Sequence, residues 1–185
     1  MNPAVSQGEN LFDFFRDRVD GARQDLDVGL STDATLYLSN LLVERTRRER
    51  PHADVATLAE LHAAASTAPP GQQAATYREL GDRSLLVVGF FRESLERKAV
   101  GPTYYRQMGI AAYLKVDLVL KRWFADAFGP IFQELADQFE GCVAILDTVR
   151  AENEANDDLV RLYERWMQTG DPELAARLRR RGLVV

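Results

Sequence analysis

The side chains best suited to chemistry are few and scattered. His52 and His62 are the only histidines and Cys142 the only cysteine. Glu49-Arg-Pro-His52 has the Glu-x-x-His spacing of helical di-iron sites, but it occurs once where such sites need a pair. Pro51 inside it keeps the two side chains off one regular helical face. A lone cysteine excludes thiolate zinc clusters, so no metal site is assigned. His62 lies in an alanine-rich segment and is expected to face solvent or the edge of a pocket. Neither it nor any tyrosine is singled out as a haem ligand, so no cofactor is assigned. No G-x-x-x-x-G-K-[ST], G-x-G-x-x-G or G-x-S-x-G motif occurs. Serine, histidine and aspartate nowhere take a spacing that suggests a triad. Asp157-Asp158 sits in polar sequence and reads as a solvated helix start. No catalytic residue follows from the sequence.

The stretch with most character is RELGDRSLLVVGFFRESLERKAVGPTYYRQMGIAAY, residues 78–113. LLVVGFF suits either a buried strand or a helix that is apolar nearly all round. The flanks favour the helix. Leu80, Ser84, Val87, Val88, Phe91 and Leu95 continue one helical stripe, with Glu93, Glu96, Arg97 and Lys98 opposite. Gly89 then lies mid-helix, where glycine costs about 1 kcal/mol against alanine, and close approach by a neighbouring helix would offset that. Gly109, Ala111 and Ala112 form another small-residue surface, so the two helices are expected to meet there, backbone against backbone. Gly81-Asp82-Arg83-Ser84 is a kink or break in this reading, with Asp82 or Arg83 partly buried in an ion pair. Tyr104-Tyr105 opens the next helix, with rings in the core and hydroxyls at the surface. The rival to a dry helix–helix contact is an apolar pocket between residues 84–91 and 104–116. Arg83, Phe90, Tyr104, Tyr105 and Met108 are the residues such a pocket would offer to a small apolar ligand.

RELGDRSLLVVGFFRESLERKAV and YYRQMGIAAY together resemble a segment of a group of uncharacterised bacterial proteins. The resemblance covers residues 78–113, under a quarter of the chain. It brings no activity, catalytic residue or ligand residue, and implies that this block is the defining feature of the fold.

The elements that must position these residues read as helices throughout. Ser6-Gln-Gly-Glu9 has capping-box spacing ahead of Leu11, Phe12, Phe14, Phe15 and Val19. A second helix opens at Ser31 or Thr32, carries Leu36, Leu38, Leu41, Leu42 and Val43, and closes in Arg45, Arg47, Arg48 and Arg50 before Pro51. Asp54–Ala65 is short and alanine-rich. STAPPGQQ, residues 66–73, reads as a loop, and Thr76-Tyr-Arg-Glu79 as a capping box. Thr103 is the expected cap of a helix reaching about Ala127, with Met108, Ala112, Val116, Val119, Trp123 and Ala127 in line. Pro130 opens a further helix to about Arg150. The two helices, joined by so short a turn, should pack antiparallel. AENEAND is a turn or an exposed helical end. Leu159, Leu162, Tyr163 and Trp166 mark another helix, Gly170 its cap, and Asp171-Pro172-Glu173 the start of the last.

The chain has 185 residues, 46% hydrophobic and 28% charged, with a net charge of −5. Those proportions suit an ordinary globular protein. The acidic balance argues against broad nucleic-acid binding and against docking on anionic membranes. No signal peptide or membrane-spanning run is visible, and the single cysteine suits a reducing, cytoplasmic setting. Arg177, Arg179, Arg180 and Arg181 form a second basic cluster at a helix end, where cations are favoured anyway. An acidic protein partner, or DNA read by a helix-turn-helix over residues 157–181, is the alternative.

The sequence therefore predicts an all-α, single-domain bundle of about seven or eight helices. Residues 1–150 form the core, and residues 151–185 form a helical tail packed on or beside it and ending in a short hairpin. The expected function is that of a non-enzymatic, cytoplasmic interaction or regulatory protein that binds a protein partner or a second copy. The alternative is a helical ligand- or cofactor-binding protein.

Overall fold

The computed structural model describes residues 11–47, 57–90, 101–124 and 130–180. Eight helices run through them: α1 Leu11–Asp25, α2 Thr32–Arg47, α3 Leu58–Thr67, α4 Pro70–Phe90, α5 Pro102–Phe124, α6 Ile131–Asp137, α7 Phe139–Thr169 and α8 Pro172–Arg180. No strand occurs among the described residues, so LLVVGF is helical up to Phe90. No helix among them is long and apolar enough to cross a membrane. The capping box at Ser6, the Glu49–His52 spacing, Ala127 and residues 91–100 lie outside the described residues.

Several expected boundaries move, each for a local reason. α3 begins after Thr57, whose hydroxyl accepts from Glu60 N at 3.2 Å while the Glu60 carboxylate accepts from Thr57 N at 2.6 Å. This is a reciprocal capping box. The loop foreseen over residues 66–73 shrinks to Ala68 and Pro69, because Pro70 takes the first helical position. Thr76 is consequently not a cap. Its hydroxyl donates to the Gln72 carbonyl inside α4 at 2.9 Å. Gly81-Asp82 does not break the helix either. Pro102 likewise displaces Thr103 as the start of α5.

The helix expected over residues 130–150 is interrupted and then prolonged. Gln138, at φ −101° and ψ 22°, separates α6 from α7, yet Gln138 N donates to Glu134 O and Cys142 N to Gln138 O at 2.8 and 2.9 Å. AENEAND contains neither glycine nor proline, so α7 passes straight through it to Thr169. The separate helix foreseen around Leu159–Trp166 is the last part of α7. Gly170 ends it at φ +63°, a left-handed conformation that glycine adopts without strain. Asp171 then caps α8, accepting from Glu173 N at 2.8 Å.

The chain falls into two compact units, Met1–Asp147 and Thr148–Val185. In the first, α4 and α5 form the most extensive helix pair, α3 packs on α4, α6 on α5, and α1 on α2. Gly81 faces Tyr113 while Ser84 faces Gly109, so α4 and α5 run antiparallel. Leu38, Leu80, Leu85, Tyr113, Leu135, Phe139, Ile145 and Leu146 are almost fully buried in this core. In the second unit, Leu174, Ala175 and Leu178 give α8 its buried stripe, and Arg177, Arg179 and Arg180 are exposed.

Candidate functional site

The glycines of α4 and α5 are filled by side chains. A Cβ on Gly109 would lie 2.5 Å from the Phe139 ring and 3.0 Å from Ser84 Cβ. A Cβ on Gly89 would meet Leu146 Cβ at 2.8 Å, and one on Gly81 would meet the Tyr113 ring at 2.6 Å. The expected backbone-to-backbone contact of Gly89 with the second helix therefore does not form. Gly89 receives α7, and Gly109 receives an aromatic ring between α4 and α7. At the glycines that were to line an apolar pocket, Phe139 and Leu146 take the space.

The five residues proposed for that pocket each have contacts or exposure of their own. Arg83 pairs with Glu79 one turn earlier at 2.6 Å. Phe90 lies under the guanidinium of Arg45, 3.9 Å from its ring centre. Burial there lowers the Arg45 pKa, so this arginine is a packed side chain and not a solvated helix end. Tyr104 is exposed and Tyr105 half-buried, their rings edge to face at 5.7 Å. Met108 is half-buried.

The most connected polar group is the part-buried carboxylate of Asp82. Tyr37 of α2 and Tyr113 of α5 both donate to its Oδ1, at 2.6 and 2.9 Å. Arg78 Nε donates to the Tyr37 hydroxyl at 3.0 Å and stands 3.7 Å from Asp82 Oδ2. Three helices thus meet on one carboxylate. The phenol of Tyr113 is pushed well above its ordinary pKa by burial and by the Asp82 charge, and that of Tyr37 is raised for the same reasons. Burial alone would lower the Arg78 pKa, but the neighbouring Tyr37 and Asp82 outweigh it and raise it. Both phenols stay protonated as donors and the arginine stays charged. The rings are held in turn: Tyr37 stands edge-on to Phe132 at 5.6 Å, and Tyr113 tilts against Phe132 and Phe139. Such a satisfied network fixes a core, and no proton in it is placed for transfer. The sequence reading expected Asp82 or Arg83 to be partly buried in an ion pair; both are, Asp82 beside Arg78 and Arg83 with Glu79, while the two tyrosines on Asp82 come from helices remote in sequence.

Cys142 is buried, and its thiol is pushed up to about 12 by burial and by the charge of Glu134. A thiol so raised is a poor nucleophile. His62 is exposed and stands edge-on to Tyr77 at 6.0 Å. No group of three or more metal-ligating side chains assembles among the described residues. A groove of about 340 Å³ lies between α1 and α2, bordered by Arg16, Asp17, Asp20 and Arg23. Its charges are paired with one another, Arg16 with Asp17 at 3.1 Å and Arg23 with Asp20 at 2.9 Å.

The outward face of α5 is different in kind. Tyr104, Gln107, Ala111, Leu114, Leu118 and Lys121 are all exposed and follow one another at alternating steps of three and four. That is the spacing of a seam onto which a second helix packs. Leu118 and Trp123 are each 57% exposed and Leu114 39%. Trp123, expected in the buried stripe with Val116 and Val119, sits outside it. The sequence held a signal for this face: α5 has more large apolar residues than one buried stripe can accommodate.

Compared with protein families, curated proteins and solved structures, the chain matches none.

Proposed function

We propose that the protein works by binding another protein, and that the outward face of α5 is its docking surface. The observation that carries this reading is the placement of Leu114 and Leu118 one turn apart in solvent on one face of α5. Large apolar side chains exposed together on one helix face mark interaction surfaces. α5 is also a rigid support. Its inner side is anchored by Tyr113 on Asp82 and by Phe139 over Gly109, so the backbone under the outer face is already ordered before binding. Among the described residues the Asp82 carboxylate is held by Tyr37, Tyr113 and Arg78, and the Cys142 thiol is buried and raised, which favours a binding role over a catalytic one.

The test compares proteins captured from the native host by the wild type and by a Leu114→Glu/Leu118→Glu variant, quantified by mass spectrometry. Both substitutions fall on exposed positions, so the melting temperature should hold. A specific set of proteins retained by the wild type and released by the variant is the expected result. Identical retention by both proteins overturns the reading.

A further inference from the structure

The charges around the α5 face specify what kind of partner fits it. Resting on the reading above, we infer that the occupant is an amphipathic helix flanked by acidic residues, and not a second copy of α5. Asp117 is the sole carboxylate within α5. It is 7% exposed, and Lys121 Nζ lies 2.9 Å from its Oδ2. The exposed charges of α5 here are Lys121 at the end of the seam and Lys115 and Arg122 beside it, all cationic on a chain whose net charge is −5. Arg122 also lies over the Trp123 ring at 5.5 Å.

Pairing rules for packed helices then discriminate between occupants. Taking Ala111 and Leu118 as equivalent seam positions a heptad apart, Lys115 and Arg122 each follow the next seam residue on the same flank, where interhelical charge pairs set partner choice. Two copies packed antiparallel on the seam would bring this cationic flank against itself, and like charges placed opposite one another suppress the wrong partner. In a parallel pair the flank would meet the side of Asp117, whose carboxylate is buried and already held by Lys121. A helix with leucine or isoleucine along its stripe and glutamate or aspartate on its flank fits both features. The seam from Tyr104 to Lys121 spans about 26 Å at the usual helical rise, so the partner helix needs about five turns.

The experiment uses the full chain and two designed peptides of about 18 residues. They share one leucine stripe; one carries glutamate on both flanks and the other lysine. Fluorescence anisotropy at low and high salt reads binding, and sedimentation velocity reads self-association. The expected result is that the glutamate peptide binds at least about tenfold more tightly at low salt, that the gap narrows at high salt, that Lys115→Glu/Arg122→Glu reverses the preference, and that Leu118→Glu abolishes binding of both. Equal binding of the two peptides, still lost in Leu118→Glu, overturns the acidic-partner inference and leaves the docking face standing. So does failure of both peptides together with a concentration-dependent dimer that Leu118→Glu dissolves, because the face then belongs to a second copy. Binding that ignores Leu118→Glu, or neither binding nor self-association, overturns the inference and the docking face together.

Discussion

The Tyr113 hydroxyl donates to Asp82 Oδ1 at 2.9 Å from a side chain with no exposed surface. The same ring lies so close to Gly81 that a Cβ there would stand 2.6 Å away. Adjacent residues of α4 therefore grip both the edge and the tip of one tyrosine of α5. That grip sets the separation of the two helices and the direction in which α5 turns its outer face.

Removing one donor from this carboxylate tests how the grip works. Tyr113→Phe and Tyr37→Phe should each lower unfolding stability by about 1–2 kcal/mol, since each leaves a part-buried acceptor short of a partner. Because both hydroxyls share one oxygen, the double variant should depart from additivity by at least about 0.5 kcal/mol. Urea denaturation followed by far-ultraviolet circular dichroism measures the cycle. Strictly additive losses would show that the two tyrosines act separately.

Glycine-to-alanine substitutions should split in sign. Gly21 lies in α1 with nothing within 4 Å of an added Cβ, so Gly21→Ala should stabilise by about 0.5–1 kcal/mol through helix propensity. Gly109→Ala gains the same propensity but drives a methyl toward Phe139, and overpacking should leave it destabilised by about 1–3 kcal/mol. Thermal melting of the two variants decides. A stabilised Gly109→Ala would mean that Phe139 moves aside freely.

Alkaline pH should weaken the fold in two steps. The Cys142 thiol rises from 9.0 to about 12 on folding, so the folded state retains a proton that the unfolded chain releases. Its contribution is complete below pH 9.0 and is lost progressively up to about pH 12. Tyr113 and Tyr37, both raised above 10.0, add a second loss that begins near that pH. Urea midpoints taken across this range should fall with pH, and Cys142→Ala should flatten the part between 9.0 and 10.0. An unchanged slope would rule out the thiol as its source.

Glu134 should prove worth more than an ordinary surface acid. Its carboxylate accepts from Ser31 N at 2.5 Å and from Ser31 Oγ at 2.6 Å, so α6 supplies an acceptor at the start of α2. Helix N-termini favour negative charge and acceptors for their free N–H groups. Glu134→Ala should cost about 1–2 kcal/mol, whereas Glu140→Ala, on an exposed side chain that pairs with Arg106 at 2.8 Å, should stay within about 0.5 kcal/mol. Equal effects in chemical denaturation would remove the distinction.

Leu118→Glu separates stability from binding. At 57% exposure the substitution should change unfolding stability by no more than about 0.5 kcal/mol while removing partner retention. A large fall in melting temperature would instead place Leu118 in the core.

Local chemistry was legible along the chain. Three-four spacing of apolar residues, Pro130 near a helix start, Gly170 at a helix end and Asp171-Pro172-Glu173 at a restart each act within a turn or two of sequence, so the all-α class and most helix positions could be read from them. Some boundaries were misplaced where two local signals competed, as at Pro70 against Thr76 or Pro102 against Thr103, and others where no local signal marked them, as at Gln138. Only the tertiary structure decided which helices share a carboxylate and which side chains fill the glycines. Tyr37, Asp82 and Tyr113 are remote in sequence, and no periodicity records that their helices converge. The outer face of α5 is of the same kind. Its apolar residues lie on two sides of one rod, and which side becomes the core depends on where α4, α6 and Phe139 pack, a choice set by burial summed over the whole unit and not by any residue's own preference.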